Sequence, residues 1–155
     1  MELIADIVPA MNALGNFQWD NNYPNAEVFK NDVTHNQLWV ADVDGAIAGI
    51  AAITTDQELE YASIGWDLNE TAIVIHRLAV SSKYRGLGIA SALMKQAETV
   101  ALERGIASLR VDTNSNNKAT RQLFPKLGYE FAGEIPLGHR PNLRFYCYEK
   151  RLVNE

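Results

Sequence analysis

The clearest chemical signature in this sequence is a glycine-rich turn, Arg85–Ala90, with the residues RGLGIA. An apolar stretch, Ala72–Val80, precedes the turn and carries apolar side chains on both of its alternating faces, which is typical of a strand buried on both sides. A helical pattern follows the turn. Main-chain N–H groups at the start of a helix, laid bare by glycines and accompanied by a guanidinium, are well suited to bind phosphate groups. We call Arg85–Ala90 the glycine segment and interpret it as a phosphate-binding turn.

The elements around the glycine segment form a strand–helix–strand unit. Apolar residues recur at helical spacing on one stripe after the turn, while charged residues lie away from it. The stripe consists of Ile89, Leu93, Ala97, Val100 and Ala101. Gly105 is predicted to end this helix, and Ser108–Asp112 to form the second strand.

Two well-known phosphate-binding loops do not fit the glycine segment. A nucleotide triphosphate loop needs a lysine after its last glycine, and Gly88 is followed by Ile89. A dinucleotide fingerprint needs a third glycine where Ser91 stands, and it would begin closer to the preceding strand. The pattern that fits is Arg-x-x-Gly-x-Ala, formed by Arg85, Gly88 and Ala90.

This pattern resembles a motif of the GNAT N-acetyltransferases. In that family, Gln/Arg-x-x-Gly-x-Gly/Ala binds the pyrophosphate of CoA and follows a strand of the type His-Arg-Leu-Ala-Val, which here is His76–Val80. Asn117 and the run LFPKLGY, Leu123–Tyr129, resemble the family's second CoA-side segment and stand in the same order. The resemblance implies an acetyl-CoA-dependent N-acetyltransferase. It would move an acetyl group to a primary amine, of a small molecule or a protein, by direct attack in a ternary complex.

The predicted fold is of the α/β (α+β) class, with a GNAT-like mixed, mostly antiparallel central sheet and helices on both faces. Hairpins make neighbouring strands antiparallel, and the helical crossover makes two central strands parallel. The resemblance implies that these two strands, Ala72–Val80 and Ser108–Asp112, splay apart and admit the pantetheine arm of CoA. The family usually begins with an edge strand. Only Glu2–Ile4 is available for it here, so the first strand is predicted to be very short or missing.

Caps, turns and periodicity predict the other elements. Asp6 is expected to cap a helix that runs to Leu14 and ends at Gly15, and Asn25 to cap a helix over residues 26–34. Asp44-Gly45 supplies a hairpin turn. The remaining predictions are strands Leu38–Val43 and Ala46–Ile53, a polar connection Thr54–Glu70 with a short extended piece around Leu59–Ala62, a helix Asn116–Leu127 with Pro125 in its last turn, and strands Glu130–Ala132 and Leu143–Lys150 joined by a loop that holds Pro136, Gly138 and Pro141.

The resemblance also implies which residues contact the cofactor. Amides of the glycine segment would bind the phosphates, with positive charge added by Arg85. The main chain of Leu78–Val80 would pair with the pantetheine amides, and one of its N–H groups would hold the thioester oxygen as it becomes an oxyanion. Asn117 matches a cofactor-side asparagine better than Asn114 does, although both also suit helix caps. The full predicted cofactor site is Leu78, Ala79, Val80, Arg85, Gly86, Leu87, Gly88, Ile89, Ala90, Asn114, Asn117 and Phe124.

Phe124 departs from the family pattern, because many members have a tyrosine there that protonates the leaving thiolate. A thiol with a pKa near 8.5 leaves tolerably well without an acid, and Tyr146 or Tyr148 could take over the role. The amine must also lose a proton before it attacks. Candidate bases are His76, Glu58, Glu60 and Asp67, with a chain of water molecules as an alternative. We select His76, Glu60 and Tyr146 as catalytic candidates; a neutral buried histidine and a solvated carboxylate are the structural alternatives for the first two.

Aromatic residues supply the candidates for the acceptor side. Trp19, Tyr23 and Trp66 are predicted to line the acceptor pocket, with packing as the alternative for each. Trp39 is expected in the core, and Cys147 is expected to be a small buried hydrophobe rather than a nucleophile. The three histidines and one cysteine lack metal-ligand spacing, so no metal site is predicted.

Length and composition bound the class of protein. The 155 residues are predicted to form a single domain, 1–155, and a net charge of −5 without a basic cluster argues against a nucleic-acid partner. One cysteine suits a reducing cytoplasm, and no apolar run approaches the roughly 20 residues that span a bilayer. A homodimer is a possible assembly. The alternative function is a non-catalytic acyl-CoA-binding or sensing module, with a nucleotide-dependent oxidoreductase as a more distant third.

Overall fold

The computed structural model describes residues 1–13, 19–20, 22–138 and 140–152. Its helices are α1 (Glu2–Ala13), α2 (Ala26–Thr34), α3 (Ile89–Glu103) and α4 (Lys118–Lys126), with 3-10 turns at Leu59–Ile64 and Ser82–Tyr84. Its strands are β1 (Leu38–Val43), β2 (Ala46–Thr54), β3 (Ile73–Val80), β4 (Ser108–Asn114), β5 (Glu130–Leu137) and β6 (Arg140–Arg151). The strands form a six-stranded sheet in the order β1-β2-β3-β4-β6-β5.

The sheet is mixed, as the sequence predicts. β1 pairs with β2, β4 with β6, and β5 with β6, all antiparallel. β3 and β4 pair in parallel, with Ile73–Ile75 beside Leu109–Val111, because helix α3 carries the chain from one strand to the other. The predicted fold class, a mostly antiparallel sheet with helices, is confirmed.

The chain divides into two compact units. The first unit comprises Met1–Ile53 and His76–Gln96, and the second comprises Thr54–Ile75 and Ala97–Glu155. A buried apolar cluster lies in the first unit and contains Ile4, Val8, Trp19, Ile50 and Ala79. A buried cluster lies in the second unit and contains Tyr61, Val74, Ile135, Leu137, Phe145 and Cys147.

The N-terminal helix begins earlier than predicted. α1 starts at Glu2, so Asp6 lies inside the helix and the prediction that Asp6 caps it is wrong. The Ala5 N–H donates to the Met1 carbonyl at 2.9 Å, and an acidic residue in the first turn suits the positive end of the helix dipole. Because Glu2–Ile4 forms the first helical turn, the predicted absence of a first strand is confirmed. The predicted end at Leu14 and Gly15 lies outside the described residues.

The second helix and the hairpin are confirmed. The Asn25 side chain accepts a hydrogen bond from the Val28 N–H at 3.1 Å and caps α2. Asp44 and Gly45 both have left-handed φ angles, +52° and +86°, as a two-residue turn between twisted antiparallel strands requires.

The connection between β2 and β3 is helical where an extended piece was predicted. Residues Leu59–Ile64 form a 3-10 turn, in which the Tyr61 N–H donates to the Glu58 carbonyl at 3.1 Å. Tyr61 is completely buried, so its side chain fixes the turn against the second unit's core. Local polarity does not reveal such a tertiary anchor, which is why the prediction is wrong.

The last two strands are longer than predicted, and the proline-containing loop between them is mostly strand. Pro136 lies in β5 and Pro141 in β6. β5 ends the strand order, and its register with β6 shifts between Ile135 and Leu137. Pro136 lies in the edge strand β5 at this irregularity, and Pro141 precedes the part of β6 that pairs with β4, so neither missing N–H interrupts the β4–β6 ladder.

Trp39 is not a core residue, contrary to the prediction. It lies in β1 with 38% of its surface exposed, whereas the preceding Leu38 packs against the core of the first unit. Successive strand residues face opposite sides, and one side of this terminal strand is open to solvent. Among the helices in the described part of the chain, none is long and apolar enough to cross a membrane.

A close approach of β2 to α3 makes Gly49 sensitive to substitution. A Cβ at Gly49 would lie 2.8 Å from Ile89 Cγ2 and 3.1 Å from the Ala79 carbonyl oxygen. We expect Gly49→Ala to lower the free energy of unfolding by about 1–3 kcal/mol, because overpacking forces the neighbours to move. Urea unfolding measures this change.

Gly138→Ala is the matched control for this substitution. Among the described residues its Cβ would meet only Glu60 Oε1 at 3.8 Å, an ordinary contact, so the unfolding midpoint should stay near that of the wild type. Equal midpoints for Gly49→Ala and the wild type would contradict the close packing described here.

Candidate active site

The glycine segment is an exposed turn between β3 and α3. The short 3-10 turn Ser82–Tyr84 precedes the glycine segment. Ser81 caps this 3-10 turn, because its side chain accepts a hydrogen bond from the Lys83 N–H at 3.3 Å. Gly86 and Gly88 have φ angles of +79° and +77°, and a Cβ on either glycine would have no atom within 4 Å. The backbone conformation, rather than crowding, therefore favours glycine at both positions.

The start of α3 presents main-chain donors next to this turn. The Ala92 N–H donates to the Gly88 carbonyl at 3.0 Å, so Ala92 is the first residue in the helical hydrogen-bond pattern. The amides of Ile89 and Ala90 precede it and have no acceptor within the helix. Buried Ile89 fixes the first turn, and Arg85 is exposed beside it. This arrangement can bind an anion with several oxygen atoms.

β3 contains a backbone irregularity at Arg77. Its φ angle is +53°, in the left-handed region that strand residues with long side chains rarely adopt. A left-handed conformation costs a non-glycine residue about 1–2 kcal/mol. Such conformations persist only where the surroundings hold them, and they concentrate at functional sites.

Asp32 and Tyr23 surround the Arg77 side chain. The guanidinium donates from Nε to Asp32 Oδ2 at 2.8 Å, from Nη2 to Asp32 Oδ1 at 2.6 Å, and from Nη1 to the Tyr23 hydroxyl at 3.2 Å. The Asp32 side chain is 1% exposed and that of Arg77 15%. Burial lowers the pKa of Arg77, but the hydrogen bonds to Asp32 and Tyr23 outweigh it and raise the pKa. The guanidinium of Arg77 therefore stays charged, and its contact with Asp32 is bidentate.

The other predicted residues of the first unit have different surroundings. Trp19 is buried in the apolar cluster with Ile4 and Val8, which supports the packing alternative for its side chain. Tyr23 is half-buried against the same cluster. His76 is half-buried and directly precedes Arg77 in β3.

A buried arginine fastens the polar connection of the second unit. We call Thr54–Glu70 the acidic segment, because it contains five acidic and no basic residues. Arg110 on β4 is 2% exposed and donates to Gln57 Oε1 at 2.5 Å, to the Asp67 carbonyl at 3.1 Å and to Glu70 Oε1 at 3.0 Å. Its Nε donates to Glu149 at 2.9 Å. The acidic segment is thus held at both ends to a strand of the sheet.

Aromatic contacts fix the middle of the acidic segment. The Trp66 ring lies 5.0 Å from the Arg110 guanidinium carbon and makes an edge contact with Tyr61, with ring centroids 4.8 Å apart. The Tyr61 hydroxyl donates to Asp112 Oδ2 at 2.5 Å. Burial, reinforced by the nearby charge of Asp112, raises the pKa of the Tyr61 phenol well above 10, so this hydroxyl keeps its proton.

The predicted bases of the second unit differ in exposure. Glu60 is half-buried in the 3-10 turn, and Glu58 directly precedes that turn. Asp67 is exposed, and its side chain accepts a hydrogen bond from the Asn69 N–H at 2.9 Å. Asp67 therefore has a local structural role, whereas Glu60 occupies a more sheltered position.

The two candidate cofactor-side asparagines also differ. Asn117 caps α4 by accepting from the Thr120 N–H at 3.2 Å. Asn114 ends β4 and is completely buried; its Oδ1 accepts from the Asn116 N–H at 2.9 Å. Within the described residues, Asn114 Nδ2 donates to no acceptor. A buried donor without a partner costs about 1–3 kcal/mol, which is a reason to look for a ligand at this atom.

Phe124, Tyr146 and Tyr148 form an aromatic group with the exposed Phe131. Phe124 is 1% exposed, and its centroid lies 5.5 Å from that of Tyr148. Tyr148 is 4% exposed, and burial raises the pKa of its phenol although the Arg121 guanidinium opposes the shift. Tyr146 is half-buried, with Arg121 4.6 Å above its ring. Of the two tyrosines, Tyr146 is the more exposed and is the one whose hydroxyl can exchange a proton with its surroundings.

Cys147 lies on the other face of β6. It is completely buried in the second unit's cluster, and burial together with the Asp112 charge raises the pKa of its thiol far above the ordinary range. A protonated, enclosed thiol is not a nucleophile. The expectation of a buried hydrophobe therefore agrees with the structure.

The predicted site residues are distributed over both units. The first unit contains His76, Leu78, Ala79, Val80, Arg85, Gly86, Leu87, Gly88, Ile89, Ala90, Trp19 and Tyr23. The second unit contains Glu60, Trp66, Asn114, Asn117, Phe124 and Tyr146.

Comparison with known proteins establishes the family. The model of the Acetyltransferase (GNAT) family matches residues 8–129, which is most of the chain. The chain therefore belongs to this family. It is an N-acetyltransferase, and acetyl-CoA is its acetyl donor.

Individual relatives agree with this assignment. The chain is 24% identical to an uncharacterized N-acetyltransferase of Bacillus subtilis, YesJ, over 144 residues that cover 91% of this chain and 77% of the relative. A GNAT-family acetyltransferase of Streptococcus agalactiae is 26% identical with a TM-score of 0.82, covering 99% of this chain and 88% of that chain. A Bacillus anthracis structure in complex with acetyl coenzyme A has a TM-score of 0.59 and 20% identity, covering 74% of this chain and 61% of that chain.

Sequence reasoning missed the buried polar groups that organise each unit. Asp32 lies 45 positions from Arg77, and Tyr61 lies 51 positions from Asp112, so no local spacing links either pair. One signal was available. Arg77 and Arg110 are charged residues in otherwise apolar strands, and a buried arginine requires a partner. The identity of that partner depends on the fold.

The ion pairs of Glu70 predict a pH dependence of stability. Hydrogen bonds from Arg151 lower the pKa of Glu70 below its ordinary value of about 4.5, although burial opposes the shift. Such a carboxyl stabilises the fold above its unfolded pKa, and this stabilisation is lost as the pH falls through the folded pKa. We expect Glu70→Gln to destabilise the protein at pH 7 and to have a smaller effect at pH 3, measured by urea unfolding at constant ionic strength.

Glu134→Gln is the control, since Glu134 pairs with Arg144 on an exposed surface where both side chains are about half exposed. Exposed pairs contribute little, so this variant should resemble the wild type at both pH values. A Glu70→Gln effect of the same size at pH 7 and pH 3 would argue against ionic stabilisation.

Proposed function

We propose that the glycine segment binds the diphosphate of acetyl-CoA and that the acetyl group passes directly to a primary amine within a ternary complex. The observation that carries the proposal is the pair of left-handed glycines, Gly86 and Gly88, at an exposed helix start next to Arg85. Donors of this kind recognise phosphate oxygens through main-chain N–H groups and the helix dipole. Family membership supports the same ligand.

Asn114 supplies a further contact to the cofactor. Its buried Nδ2 has no acceptor among the described residues, and a carbonyl oxygen of the pantetheine arm would satisfy it. Asn117 caps α4 through its oxygen, which leaves its amide nitrogen to face the cofactor. Leu78–Val80 contribute main-chain groups to the same proposed cofactor site.

The chemical step is an attack of the amine nitrogen on the thioester carbon. The carbonyl π electrons move to oxygen, where the Leu78 N–H stabilises the oxyanion; the carbon–sulfur bond then breaks and CoA leaves as a thiolate. One well-placed oxyanion donor is worth about 3–4 kcal/mol of barrier. Before the attack, the ammonium of the acceptor loses a proton to Glu60 or His76, directly or through water, so that a neutral amine attacks. The nitrogen loses its second proton to water as the carbon–sulfur bond breaks, and Tyr146 protonates the thiolate, a role for which Phe124 has no hydroxyl.

The charge of the acidic segment indicates the class of acceptor. Although Glu70 is paired with Arg110 and Arg151, the four other carboxylates of the acidic segment contribute a negative potential that attracts a protonated amine. Trp66, in the same segment, offers a half-buried aromatic surface for the rest of the acceptor. We therefore propose a cationic amine, small or peptidic, and not an acidic metabolite.

Cellular location and assembly belong to the same proposal. A single buried cysteine supports a reducing cytoplasmic location, because it requires no oxidising compartment. We further propose a homodimer, which light scattering on the purified protein tests directly.

The test of the function is release of CoA thiol from acetyl-CoA in the presence of a panel of amines. The panel contains spermidine, lysine, glucosamine and a short peptide with a free N-terminus. Amine-dependent thiol release supports the proposal. Tight acetyl-CoA binding without turnover would instead favour the non-catalytic binding module.

Replacing Gly88 tests the diphosphate site. Gly88→Glu places a carboxylate and a strained left-handed side chain where phosphate must approach the main chain. We expect calorimetry to detect no acetyl-CoA binding, a loss of at least about 100-fold in affinity or about 2.7 kcal/mol.

Gly45→Glu is the matched control for Gly88→Glu. Gly45 has φ +86° and open space around its Cβ position, so the same substitution costs similar backbone strain in the β1–β2 turn. Its acetyl-CoA affinity should equal that of the wild type. Wild-type affinity in Gly88→Glu would overturn the diphosphate assignment.

Tyr146→Phe tests the proposed acid. We expect kcat to fall by about tenfold, less than the usual general-acid effect of about 100-fold or more, because a thiolate is already a fair leaving group. The KM for acetyl-CoA should remain unchanged. Steady-state kinetics between pH 6 and 9 measure both constants, and Tyr148→Phe, which alters a buried ring, should retain wild-type kcat. Undiminished turnover of Tyr146→Phe at every pH would remove Tyr146 from the mechanism.

A further inference from the structure

Arg77 has the one left-handed φ angle in the described chain that its own residue type does not explain. The other two non-glycine residues with positive φ are Asn36 and Asp44, which lie in turns and belong to the types that tolerate this conformation. Arg77 lies inside strand β3 and carries a long side chain. Interactions of that side chain must therefore hold the backbone in place.

Those interactions all come from the first unit. Three nitrogens of the guanidinium are engaged, two by both carboxylate oxygens of Asp32 and the third by the Tyr23 hydroxyl. Asp32 projects from α2 and is 1% exposed, so water does not compete for it. Because the planar guanidinium is hydrogen-bonded through three nitrogens, it fixes the orientation of the aliphatic part of the Arg77 side chain. The backbone dihedral angles of Arg77 are thereby fixed as well.

We propose that Asp32 is a positioning residue for acetyl transfer: through Arg77 it holds β3 in the left-handed conformation that aims the following N–H, that of Leu78, at the thioester oxygen. This inference rests on the proposed function, since it specifies how the oxyanion donor of that reaction is kept in place. A left-handed residue breaks the regular alternation of N–H directions along a strand. The Leu78 N–H can then point away from the neighbouring strand and donate a hydrogen bond to a ligand.

Stability alone does not explain such a pair. A buried ion pair contributes little net stability compared with apolar residues of the same size. The bidentate ion pair fixes the orientation of the Arg77 side chain, which an apolar pair would not do. Misdirection of a single donor affects the transition state, in which the oxygen carries charge, more than it affects binding of the ground state.

The test compares kcat with acetyl-CoA affinity in Asp32→Asn, using acetyl-CoA and the fastest amine of the panel. We expect kcat to fall at least tenfold while the acetyl-CoA Kd from calorimetry stays within twofold, with full binding stoichiometry. The binding stoichiometry reports the fraction of the protein that is folded. If Asp32→Asn only unfolded part of the protein, the stoichiometry would fall and kcat per binding site would stay unchanged. That outcome would overturn the proposal.

Glu98→Gln is the matched control, because it removes the carboxylate of another partly buried ion pair, Lys150–Glu98, to which the proposed reaction assigns no role. It should lower the melting temperature and leave kcat unchanged. If Asp32→Asn does not fold, Arg77→Lys replaces it: the lysine keeps the charge but cannot form the fork, and the same separation of kcat from Kd is expected. Unchanged kcat in the folded variant would refute the proposal.

A double variant isolates the backbone conformation from the charge. Glycine adopts a left-handed φ without steric cost, so Asp32→Asn with Arg77→Gly should have a higher kcat than Asp32→Asn alone. A double variant no faster than the single variant would overturn the backbone explanation. The proposed function fails separately, if the wild-type protein releases no CoA with any amine.

Discussion

Backbone N–H groups released from regular secondary structure are the feature on which the rest of this protein depends. Left-handed φ angles at Gly86 and Gly88 open the turn before α3. Another at Arg77 interrupts β3 shortly before. Main-chain donors are kept in every substitution except proline and need no side-chain rotamer to be fixed, so they are well suited to bind phosphate and to stabilise an oxyanion.

Rigidity in each unit comes from a buried arginine rather than from apolar packing alone. Arg77 joins α2 to β3 through Asp32, and Arg110 joins the acidic segment to β4 and β6 through Glu70 and Glu149. Both guanidinium groups engage several oxygens, as buried charges require. The segments that they hold carry the candidate acceptor residues Tyr23, Glu60 and Trp66. Polar networks of this kind specify one arrangement of a loop where apolar contacts would allow several.

Phe124 occupies a position at which many members of the family have a tyrosine. It is completely enclosed against Tyr148 and Tyr129, so the position serves packing in this chain. Acetyl transfer from a thioester does not need a strong acid, because the leaving thiolate is stable near neutral pH. Loss of the tyrosine is therefore compatible with catalysis, and the less enclosed Tyr146 is the remaining phenol that can exchange a proton.

The sequence by itself determined the elements whose signals are local. The glycine segment, the Asn25 cap, the Asp44-Gly45 hairpin and the parallel crossover between β3 and β4 follow from turn chemistry and periodicity within a few residues. Tertiary structure alone decided the start of α1, the 3-10 turn at Leu59–Ile64, the exposure of Trp39 and the prolines within β5 and β6. It also chose the partners of Arg77 and Arg110, Asp32 and Glu149. These features depend on contacts between residues far apart in the chain, and sequence spacing carries no information about which distant oxygen a buried guanidinium will meet.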